Sequence, residues 1–428
     1  MNIKELYDCF LETTGVTTDT RKIEPNNFFI ALKGDTFNGN EFADKAIELG
    51  AKYVLIDERK YKKNKQYILV DDCLQTLQTL ANYHRKQLSC TIIGLTGSNG
   101  KTTTKELIYT VLSQKYKTQA THGNLNNHIG VPLTLLSFNK DTEMGIVEMG
   151  ANHQKEIEFL CQIAEPDFGY ITNFGKAHLE GFGGVEGVIK GKSELYTYLS
   201  TSNHIAFINN DDPLQVEKTN QLKTISFGFQ SKNNFVSIYN IEANPMVKIE
   251  CKNTTIQSHL IGLYNANNIN VAITIGCYFD IPIETIKEAI ENYIPTNNRS
   301  QLLKKESNTI ILDAYNANPS SMQAALINFF QLEENNKIAI LGDMFELGEE
   351  STEEHQKIVK TCKNQDSITF YFIGKAFAMQ QLEQSNLHFY TSFEDFQNAF
   401  TTKNTSNAFI LIKGSRGMRL ERTLDYIN

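Results

Sequence analysis

The chain has 428 residues, of which 41% are hydrophobic and 21% charged, so it is long enough for two or three domains with a buried core in each. Its 41 Lys and Arg residues and 49 Asp and Glu residues give a formal net charge of −8, which argues against broad electrostatic binding to nucleic acid or to an anionic membrane. Any anionic ligand must therefore be bound by local basic groups.

Cysteine usage and the absence of long apolar runs bear on the compartment. Seven scattered cysteines without a C-x-x-C pair predict buried thiols in a reducing environment, and neither a disulfide framework nor a zinc site. The first residues lack an apolar signal segment, and no apolar run is long enough to span a bilayer. We therefore expect a cytoplasmic protein.

The first segment, residues 1–86, has the pattern of a small α/β domain. Short apolar runs at 27–32, 53–56 and 67–70 predict strands, and residues 42–49 predict a helix between the first two. A longer helix is predicted from Cys73 to about Gln87, and it leads into the next segment.

A glycine-rich loop then joins a predicted strand, residues 91–95, to a helix that continues from Lys105. Its residues are Gly97, Ser98, Asn99, Gly100, Lys101, Thr102 and Thr103. The glycines permit tight turns, so that backbone N–H groups and a helix N-terminus can point at an anion. Lys101 would reach the outer phosphates of a nucleoside triphosphate, and the Thr102 hydroxyl would bind Mg²⁺.

This loop departs from the usual phosphate-binding pattern, because the first glycine is expected at position 95, where the chain has Leu95, and stands instead at Gly97. An ordinary glycine-rich turn is the alternative. The strand before the loop and the helix after it favour phosphate binding.

The rest of the chain divides near residue 295. In residues 87–295, apolar runs at 145–149, 168–172 and 204–208 alternate with helices and predict a parallel sheet covered on both faces, and 222–260 predicts an antiparallel subregion before a helix at 265–278. In residues 296–428, runs at 309–312, 337–341, 369–373 and 408–412 predict a Rossmann-like domain. The predicted fold is thus α/β with three domains: a small N-terminal one, a central P-loop ATPase domain with a parallel sheet, and a C-terminal Rossmann-like one.

Polar residues just after predicted strands are candidates for a site, because ligands of open α/β sheets bind at the carboxyl ends of strands. Glu148 is either a Mg²⁺ ligand or an acid at a helix N-terminus. His178 is either a metal ligand or, more often for a lone histidine, structural. Lys192 by default is a solvated helix lysine.

Three amides follow Gly123, at Asn124, Asn126 and Asn127, where they either shape a turn or bind a polar substrate. Asp313, Lys413 and Arg416 follow predicted strands of the third segment. They suit nucleotide and carboxylate contacts, with a capped loop as the simpler interpretation.

Several motifs together carry a resemblance to a known family. They are Thr18-Asp19-Thr20-Arg21, Thr96-Gly97-Ser98-Asn99-Gly100-Lys101-Thr102-Thr103, Asn124-Leu125-Asn126-Asn127, Glu148-Met149-Gly150, His178-Leu179-Glu180-Gly181, Asp313-Ala314-Tyr315-Asn316-Ala317-Asn318-Pro319, Leu341-Gly342-Asp343-Met344 and Lys413-Gly414-Ser415-Arg416-Gly417. This set resembles the Mur ligases over nearly the full chain. The loop is also similar to that of folylpolyglutamate synthases, whereas the Tyr315 and Leu341 motifs point to the branch of Mur ligases that adds D-alanyl-D-alanine.

The resemblance implies ATP-dependent amide formation in peptidoglycan precursor synthesis, with ATP and Mg²⁺ as cofactors. The terminal carboxylate of a UDP-N-acetylmuramoyl-tripeptide would take the γ-phosphoryl group of ATP, and the amine of D-alanyl-D-alanine would attack the acyl phosphate. The N-terminal domain would bind the UDP end and the C-terminal domain would close over the site. A monomer without nucleic-acid or membrane partners is expected.

The resemblance also implies roles for individual residues. Thr102 and Glu148 would hold one Mg²⁺, and His178 with a carbamylated Lys192 would help to hold a second, Lys190 being the rival lysine. The other implied contacts are adenine at Asn265 and Asn268, phosphate and ribose at Arg299 and Asp313, the peptide at Asn124, Asn126, Asn127 and Asn173, the dipeptide at Asn316, Asn318, Lys413 and Arg416, and uridine at Thr18, Asp19, Arg21, Asn38 and Gly39.

The chain departs from the family pattern at Asn40, His128, Tyr264, Leu312 and Asn298, none of which is a proposed metal or phosphate ligand. Two other functions stay open at this point. One is a different amide ligase, such as a tripeptide-forming Mur enzyme or a folylpolyglutamate synthase, although folate ligation would need no uridine-binding domain. The other is a nucleotide-binding module without activity, which would have little use for two metal sites.

Overall fold

The computed structural model describes residues 1–230, 233–296, 298–400 and 405–427. Three main sheets of four, nine and six strands follow one another along the chain, and each falls within one of the three predicted segments. The boundaries near residues 86 and 295 stay predictions.

The first sheet is parallel, with strand order β1-β2-β5-β6. Its region comprises α1 (Ile3–Leu11), β1 (Val16–Thr17), β2 (Phe28–Ile30), a hairpin of β3 (Lys33–Gly34) and β4 (Phe37–Asn38), α2 (Ala43–Glu48), β5 (Tyr53–Ile56), β6 (Tyr67–Leu69) and α3 (Cys73–Gln87). α3 is amphipathic: it starts at the N-cap Asp72 and buries Leu77, Leu80 and Ala81.

The central sheet has the order β15-β14-β13-β12-β11-β10-β7-β9-β8. Its elements are β7 (Thr91–Thr96), α4 (Lys101–Leu112), β8 (Thr118–Ala120), α5 (Gly130–Ser137), β9 (Met144–Glu148), α6 (Glu156–Ala164), β10 (Phe168–Ile171), α7 (Leu179–Phe182), α8 (Val185–Thr201), β11 (Ile205–Asn209), α9 (Pro213–Lys218), β12 (Lys223–Phe229), β13 (Val236–Ala243), β14 (Met246–Cys251), β15 (Thr254–Ile261), α10 (Ala266–Tyr278) and α11 (Ile283–Asn292). Helix α3 packs against α5 and α6, which joins the first region to the central one.

The predicted antiparallel subregion is confirmed for β13, β14 and β15 and wrong for β12, which pairs in parallel with β11 and β13. For the β11–β12 pair, the reason is the helix α9 between the two strands. A strand–helix–strand crossover returns the chain in its original direction, so it produces a parallel pair.

The third sheet has the order β16-β17-β21-β18-β19-β20 and is parallel except for the pair β16–β17. Its elements are β16 (Gln301–Lys305), β17 (Asn308–Asp313), α12 (Pro319–Gln331), β18 (Lys337–Gly342), α13 (Ser351–Lys363), β19 (Ile368–Ile373), α14 (Lys375–Ala378), β20 (Leu387–Tyr390), α15 (Phe393–Ala399) and β21 (Phe409–Lys413). The four predicted strands are β17, β18, β19 and β21. The prediction missed β16 and β20, because both are edge strands and need no continuous apolar run.

The carboxyl ends of the central and third sheets face one another. Residues that follow β7, β9 and β10 line the same cavity as residues at the ends of β17 and β21. This is the position in which open α/β sheets bind ligands. In the described ranges, none of the helices combines the length and apolarity that a membrane crossing requires.

Candidate active site

A cavity of about 710 Å³ lies between these two sheets. The predicted site residues that line it are Ser98, Asn99, Gly100, Lys101, Thr102, Thr103, Asn124, Asn126, Asn127, Glu148, Asn173, His178, Asn265, Asn268, Arg299, Asp313, Asn316, Asn318 and Lys413. Arg416 lines an adjoining cavity of about 850 Å³ that shares Thr102 and Arg299 with the first. The fold therefore brings together most residues of the predicted nucleotide, metal and peptide contacts.

The predicted phosphate-binding loop, residues 97–103, is called the phosphate loop below. Two of its glycines are required by its geometry. Gly97 has φ +140°, and a Cβ there would lie 2.0 Å from the Thr172 hydroxyl oxygen. Gly100 has φ +81°, and a Cβ there would lie 2.7 Å from Oδ1 of Asn268. The glycine displaced from position 95 to position 97 is thus explained by the close approach of the β10 end, which leaves no room for a side chain.

The phosphate loop is fastened to the segment after β10. The Ser98 hydroxyl donates to the carbonyl of Gly175 (2.6 Å), and Nδ2 of Asn173 donates to the carbonyl of Asn99 (3.0 Å). From the third domain, Nδ2 of Asn318 donates to Oδ1 of Asn99 (2.7 Å). The loop is therefore held in shape by protein contacts on both sides of the cavity.

Lys101 is the first residue of α4, and its ammonium bends back over the loop. Nζ donates to the carbonyl of Gly97 (2.7 Å) and lies 3.4 Å from that of Ser98. Desolvation lowers the pKa of Lys101, and the Glu148 carboxylate opposes this shift. The Lys101 side chain thus lies directly beside the loop that is predicted to bind phosphates.

Glu148 ends β9 and is 2% exposed. Its Oε2 accepts from the Thr102 hydroxyl (2.9 Å), and its Oε1 accepts from Nδ2 of Asn126 (2.8 Å). A carboxylate, a hydroxyl and an amide are the hard oxygen donors that suit Mg²⁺. Over the described ranges, no three His, Cys, Asp or Glu side chains converge as a metal centre.

Lys192 lies on α8 and is 1% exposed, so the interpretation as a solvated helix lysine is wrong. Its Nζ donates to the carbonyl of Ala151 (3.1 Å) and lies 4.9 Å from the centre of the Phe182 ring. Burial lowers the pKa of Lys192 well below its ordinary value, and the nearby Lys101 charge adds to this effect. Lys190, the rival lysine, is exposed.

The third domain supplies an ion pair to the cavity wall. Nζ of Lys413, 2% exposed, donates to Oδ2 of Asp313 (2.6 Å), while Oδ1 of Asp313 accepts from the backbone N–H of Ser300 (3.2 Å). The Arg299 guanidinium stacks on the Tyr315 ring, 3.6 Å from its centre. Arg299 is thereby held at the cavity with its charge available to an anion.

The two predicted adenine contacts are buried beside the phosphate loop. Nδ2 of Asn268 donates to Oδ1 of Asn265 (2.9 Å), and Nδ2 of Asn265 donates to the carbonyl of Ile261 (2.8 Å). The Thr104 hydroxyl donates to Oδ1 of Asn268 (3.0 Å). These bonds connect the N-terminus of α10 to α4, and contact with adenine stays a prediction.

The predicted uridine contacts, Thr18, Asp19, Arg21, Asn38 and Gly39, lie in the first region and outside both cavities. Arg21 forms an exposed ion pair with Asp19 (2.8 Å). The Asn38 amide donates to Oε1 of Glu58 (3.0 Å), and the neighbouring Asn40 is fully buried and donates to Oδ1 of Asp57 (2.8 Å). The structure does not bring these residues to the nucleotide cavity.

The sequence reasoning missed residues that connect the central and third domains. The Ser320 hydroxyl accepts from the backbone N–H of Lys176 (2.8 Å), and the Tyr264 and Ser300 hydroxyls are hydrogen-bonded (2.8 Å). Glu346 lies against the ring of His178. The only sequence signal was their closeness to motifs: Ser320 follows Asn318-Pro319, and Glu346 follows Gly342-Asp343-Met344.

Comparison with known proteins defines the family. Three family models match consecutive parts of the chain: Mur ligase family, catalytic domain (12–85), Mur ligase middle domain (95–276), and Mur ligase, glutamate ligase domain (298–416). The UDP-N-acetylmuramoyl-tripeptide--D-alanyl-D-alanine ligase of Bacillus subtilis is 36% identical over 417 residues, 95% of this chain and 91% of that protein. The chain belongs to the Mur ligase family. The enzyme of the same name from Escherichia coli is 32% identical over 87% of this chain and 83% of its own length.

Solved structures agree with this assignment. A crystal structure of MurF from Acinetobacter baumannii matches with a TM-score of 0.87 and 28% identity, covering 99% of this chain and 97% of that one. MurF ligase from Thermotoga maritima in complex with ADP matches with a TM-score of 0.85 and 27% identity, covering 97% of both chains. The predicted three-domain α/β fold is confirmed.

Proposed function

We propose that this Mur ligase joins D-alanyl-D-alanine to the terminal carboxylate of UDP-N-acetylmuramoyl-tripeptide, using ATP, in peptidoglycan precursor synthesis. The names of its relatives support this reaction, and an ADP-bound neighbour supports nucleotide use. The observation that carries the proposal is one cavity that holds the phosphate loop, the Thr102–Glu148 pair and the basic groups of the third domain. An amide ligase needs these groups together, because ATP and a carboxylate must meet before phosphoryl transfer.

The first requirement of the reaction is to bring two anions together. Loop N–H groups and the Lys101 ammonium stabilise the γ-phosphoryl group, and Arg299 lies across the cavity as a third positive group. Thr102 and Glu148 would hold one Mg²⁺, which supplies further charge neutralisation when bound. With these groups in place, a substrate carboxylate oxygen can attack the γ-phosphorus, the bond from that phosphorus to the bridging oxygen breaks, and an acyl phosphate forms as ADP leaves.

The second step joins the dipeptide. Its neutral amine attacks the acyl carbon, and phosphate leaves from the tetrahedral intermediate. Asn316, Asn318 and Lys413 line the cavity and Arg416 its extension, so they would position the dipeptide, while Asn124, Asn126, Asn127 and Asn173 would bind the peptide. Contacts between the central and third domains close one side of the cavity, and they would help to exclude water from the acyl phosphate.

We assign to Lys192 a carbamate that acts with His178 as a ligand of a second Mg²⁺. Burial lowers the pKa of the Lys192 amine well below its ordinary value, which favours the neutral form that reacts with carbon dioxide. A carbamate would give an oxygen ligand, which an ammonium cannot. With ¹³C-labelled bicarbonate, the wild type should show one carbamate carbon resonance that Lys192→Met lacks and Lys190→Met retains, and its absence from the wild type would refute this assignment.

The test of the function is phosphate release from ATP with UDP-N-acetylmuramoyl-tripeptide, measured with and without D-alanyl-D-alanine. Turnover should depend on both substrates and yield a UDP-linked pentapeptide by mass spectrometry. Replacement of the dipeptide by single L-amino acids or L-glutamate tests the other amide ligases. Turnover that does not depend on the dipeptide, or a ligated product with one of those other acceptors, would contradict the proposal. The cytoplasmic location and the monomeric state stay predictions.

A further inference from the structure

The His178 side chain is contacted from the third domain by a residue that the proposed mechanism does not use. Its Nδ1 is shielded from solvent and lies against the Glu346 carboxylate, in a contact that is close in distance but lacks the alignment of a well-formed hydrogen bond. Nε2 forms no hydrogen bond within the described residues, and the side chain lines the cavity.

Both partners have an unusual backbone. His178 has φ +52° and Glu346 has φ +62°. Both values lie in the left-handed region, which residues other than glycine rarely adopt. Such strain persists where the surrounding structure fixes it, and it concentrates at functional sites. Here the two strained residues meet each other across the interface of two domains.

The loop that carries Glu346 is firmly anchored in the third domain. The backbone N–H of Met344 donates to Nε2 of His355 (3.0 Å), and that of Phe345 donates to the Ser415 hydroxyl (2.9 Å). Met344 and Leu347 are buried on either side of the exposed pair Phe345 and Glu346. The carboxylate is thus held out from a fixed loop toward the central domain.

The segment before His178 is bound by the same domain at a second place. Nζ of Lys176 forms an ion pair with Glu354 (2.7 Å), a residue 5% exposed on α13. This contact holds the segment without touching the imidazole. A variant of Glu354 therefore loses a contact between the domains but keeps the contact of Glu346 with the His178 ring.

We propose that Glu346 is a positioning residue, which orients the His178 imidazole through Nδ1 and leaves Nε2 as the nitrogen that faces the cavity. The proposal rests on the proposed function, in which His178 is a metal ligand. A carboxylate on the outer nitrogen of a ligating histidine fixes its tautomer and ring orientation. Because Glu346 belongs to the third domain, the ligand is correctly oriented only when that domain is docked.

The first experiment needs no metal. In the full chain labelled with ¹⁵N-histidine, long-range proton–nitrogen spectra report which ring nitrogen carries the proton, and His178→Ala assigns the signals. The wild type should show His178 protonated at Nδ1. Glu346→Ala should give a mixture of tautomers and Glu346→Gln should retain much of the wild-type pattern, whereas Glu354→Ala and the exposed neighbour variant Glu349→Ala should leave it unchanged.

The second experiment measures Mn²⁺ binding by electron paramagnetic resonance, with ADP and UDP-N-acetylmuramoyl-tripeptide present and no turnover. Glu346→Ala should weaken the Mn²⁺ site that His178→Ala removes by about 10-fold, the lower end of the usual effect of such outer partners. Glu354→Ala should stay within about twofold of the wild type, which is below that range. Thermal unfolding of each variant verifies that it is folded.

Three results would overturn the proposal: an unchanged His178 tautomer in Glu346→Ala, equal effects of Glu346→Ala and Glu354→Ala on the spectra and on Mn²⁺, or unchanged Mn²⁺ affinity in Glu346→Ala. Failure of the proposed function looks different. If His178→Ala binds Mn²⁺ as the wild type does, the ligand role of His178 is wrong, and the tautomer spectra still decide whether Glu346 orients the ring.

Discussion

The two ends of the proposed substrate path hold their polar side chains in opposite ways. At the nucleotide cavity, Glu148 and Lys413 are each 2% exposed. In the first region, the Arg21 side chain is 87% exposed and pairs with Asp19 on the surface. The fold thus buries the charged side chains of the cavity before any ligand binds, whereas the predicted uridine contact Arg21 is exposed on the surface.

This difference has an energetic consequence. A buried charge costs free energy of folding unless other groups compensate it, so the cavity residues influence stability as well as chemistry. An exposed ion pair contributes little to stability, because water and salt screen it. Substitutions at the cavity should therefore change catalysis and stability together, and substitutions at the uridine end should change only substrate binding.

The largest effect is expected at Glu148. Glu148→Gln keeps the shape of the side chain but removes the negative charge beside Thr102, so turnover should fall by about 100- to 1000-fold, as on loss of other preorganised charge-stabilising groups. Dipeptide-dependent phosphate release measures this loss. Glu143→Gln is the matched control, because Glu143 precedes the same strand at its other end and is exposed. If Glu148→Gln lowered turnover no more than Glu143→Gln does, the contrast between buried cavity residues and exposed residues would be wrong.

Substitution of Lys192 should change both turnover and stability. Lys192→Met is expected to lower turnover by at least about 100-fold, similar to the loss of a charge-stabilising group. In buffer free of carbon dioxide, the lowered pKa means that the unfolded chain binds a proton that the folded chain does not, from the folded pKa up to about 10.4. Stability of the wild type should rise with pH in that window, and the variant should show a smaller rise. The measurement is urea unfolding across that pH range.

Lys190→Met provides the control for this experiment, since Lys190 is exposed on the same helix. Its pH dependence and turnover should match the wild type. If Lys192→Met and Lys190→Met gave the same rise in stability with pH, burial would not set the charge state of Lys192.

The third prediction concerns the ion pair of Asp313 and Lys413. Lys413→Met leaves the Asp313 carboxylate without its partner, so the free energy of unfolding should fall by about 3 kcal/mol, the low end for a broken buried pair, since Asp313 also borders the cavity. Chemical unfolding measures the change. The double variant Lys413→Met with Asp313→Leu should recover most of it, because no unpaired charge is left. A double variant as unstable as the sum of both single ones would contradict this reasoning.

The same contrast explains what the sequence could predict. The strand–loop–helix arrangement of the phosphate loop could be predicted because its strand, glycines and helix are consecutive in the chain. The candidate residues after β9 and β10 could be predicted because open α/β sheets bind ligands at the carboxyl ends of their strands. The burial of Lys192 could not be predicted, because the groups that enclose it, Ala151 and Phe182, come from other segments of the chain. From the sequence alone, a solvated helix lysine was the default interpretation.

Contacts between domains were beyond sequence reasoning for a related reason. Glu346 meets His178 across 167 intervening positions in the chain, and nothing in the local pattern of either residue specifies the docking of the third domain. Edge strands were missed because β16 and β20 pack on one side only and carry a weaker apolar signal. The structure therefore places the residues of a local motif at the predicted cavity, whereas the sequence did not predict the positions of residues that depend on a distant partner.

The smallest effect is expected at Arg21, and it tests the exposed end of the comparison. Arg21→Ala should raise the KM for UDP-N-acetylmuramoyl-tripeptide by about 10-fold with kcat unchanged, because a contact remote from the reacting atoms is made equally in the ground and transition states. Stability should change by less than about 0.5 kcal/mol, as for other surface substitutions. Lys63→Ala removes another exposed ion pair of the same region, that with Asp44, and should leave the KM unchanged. A fall in kcat for Arg21→Ala would mean that binding at the uridine end contributes to the chemical step, and the two ends would then not be energetically separate.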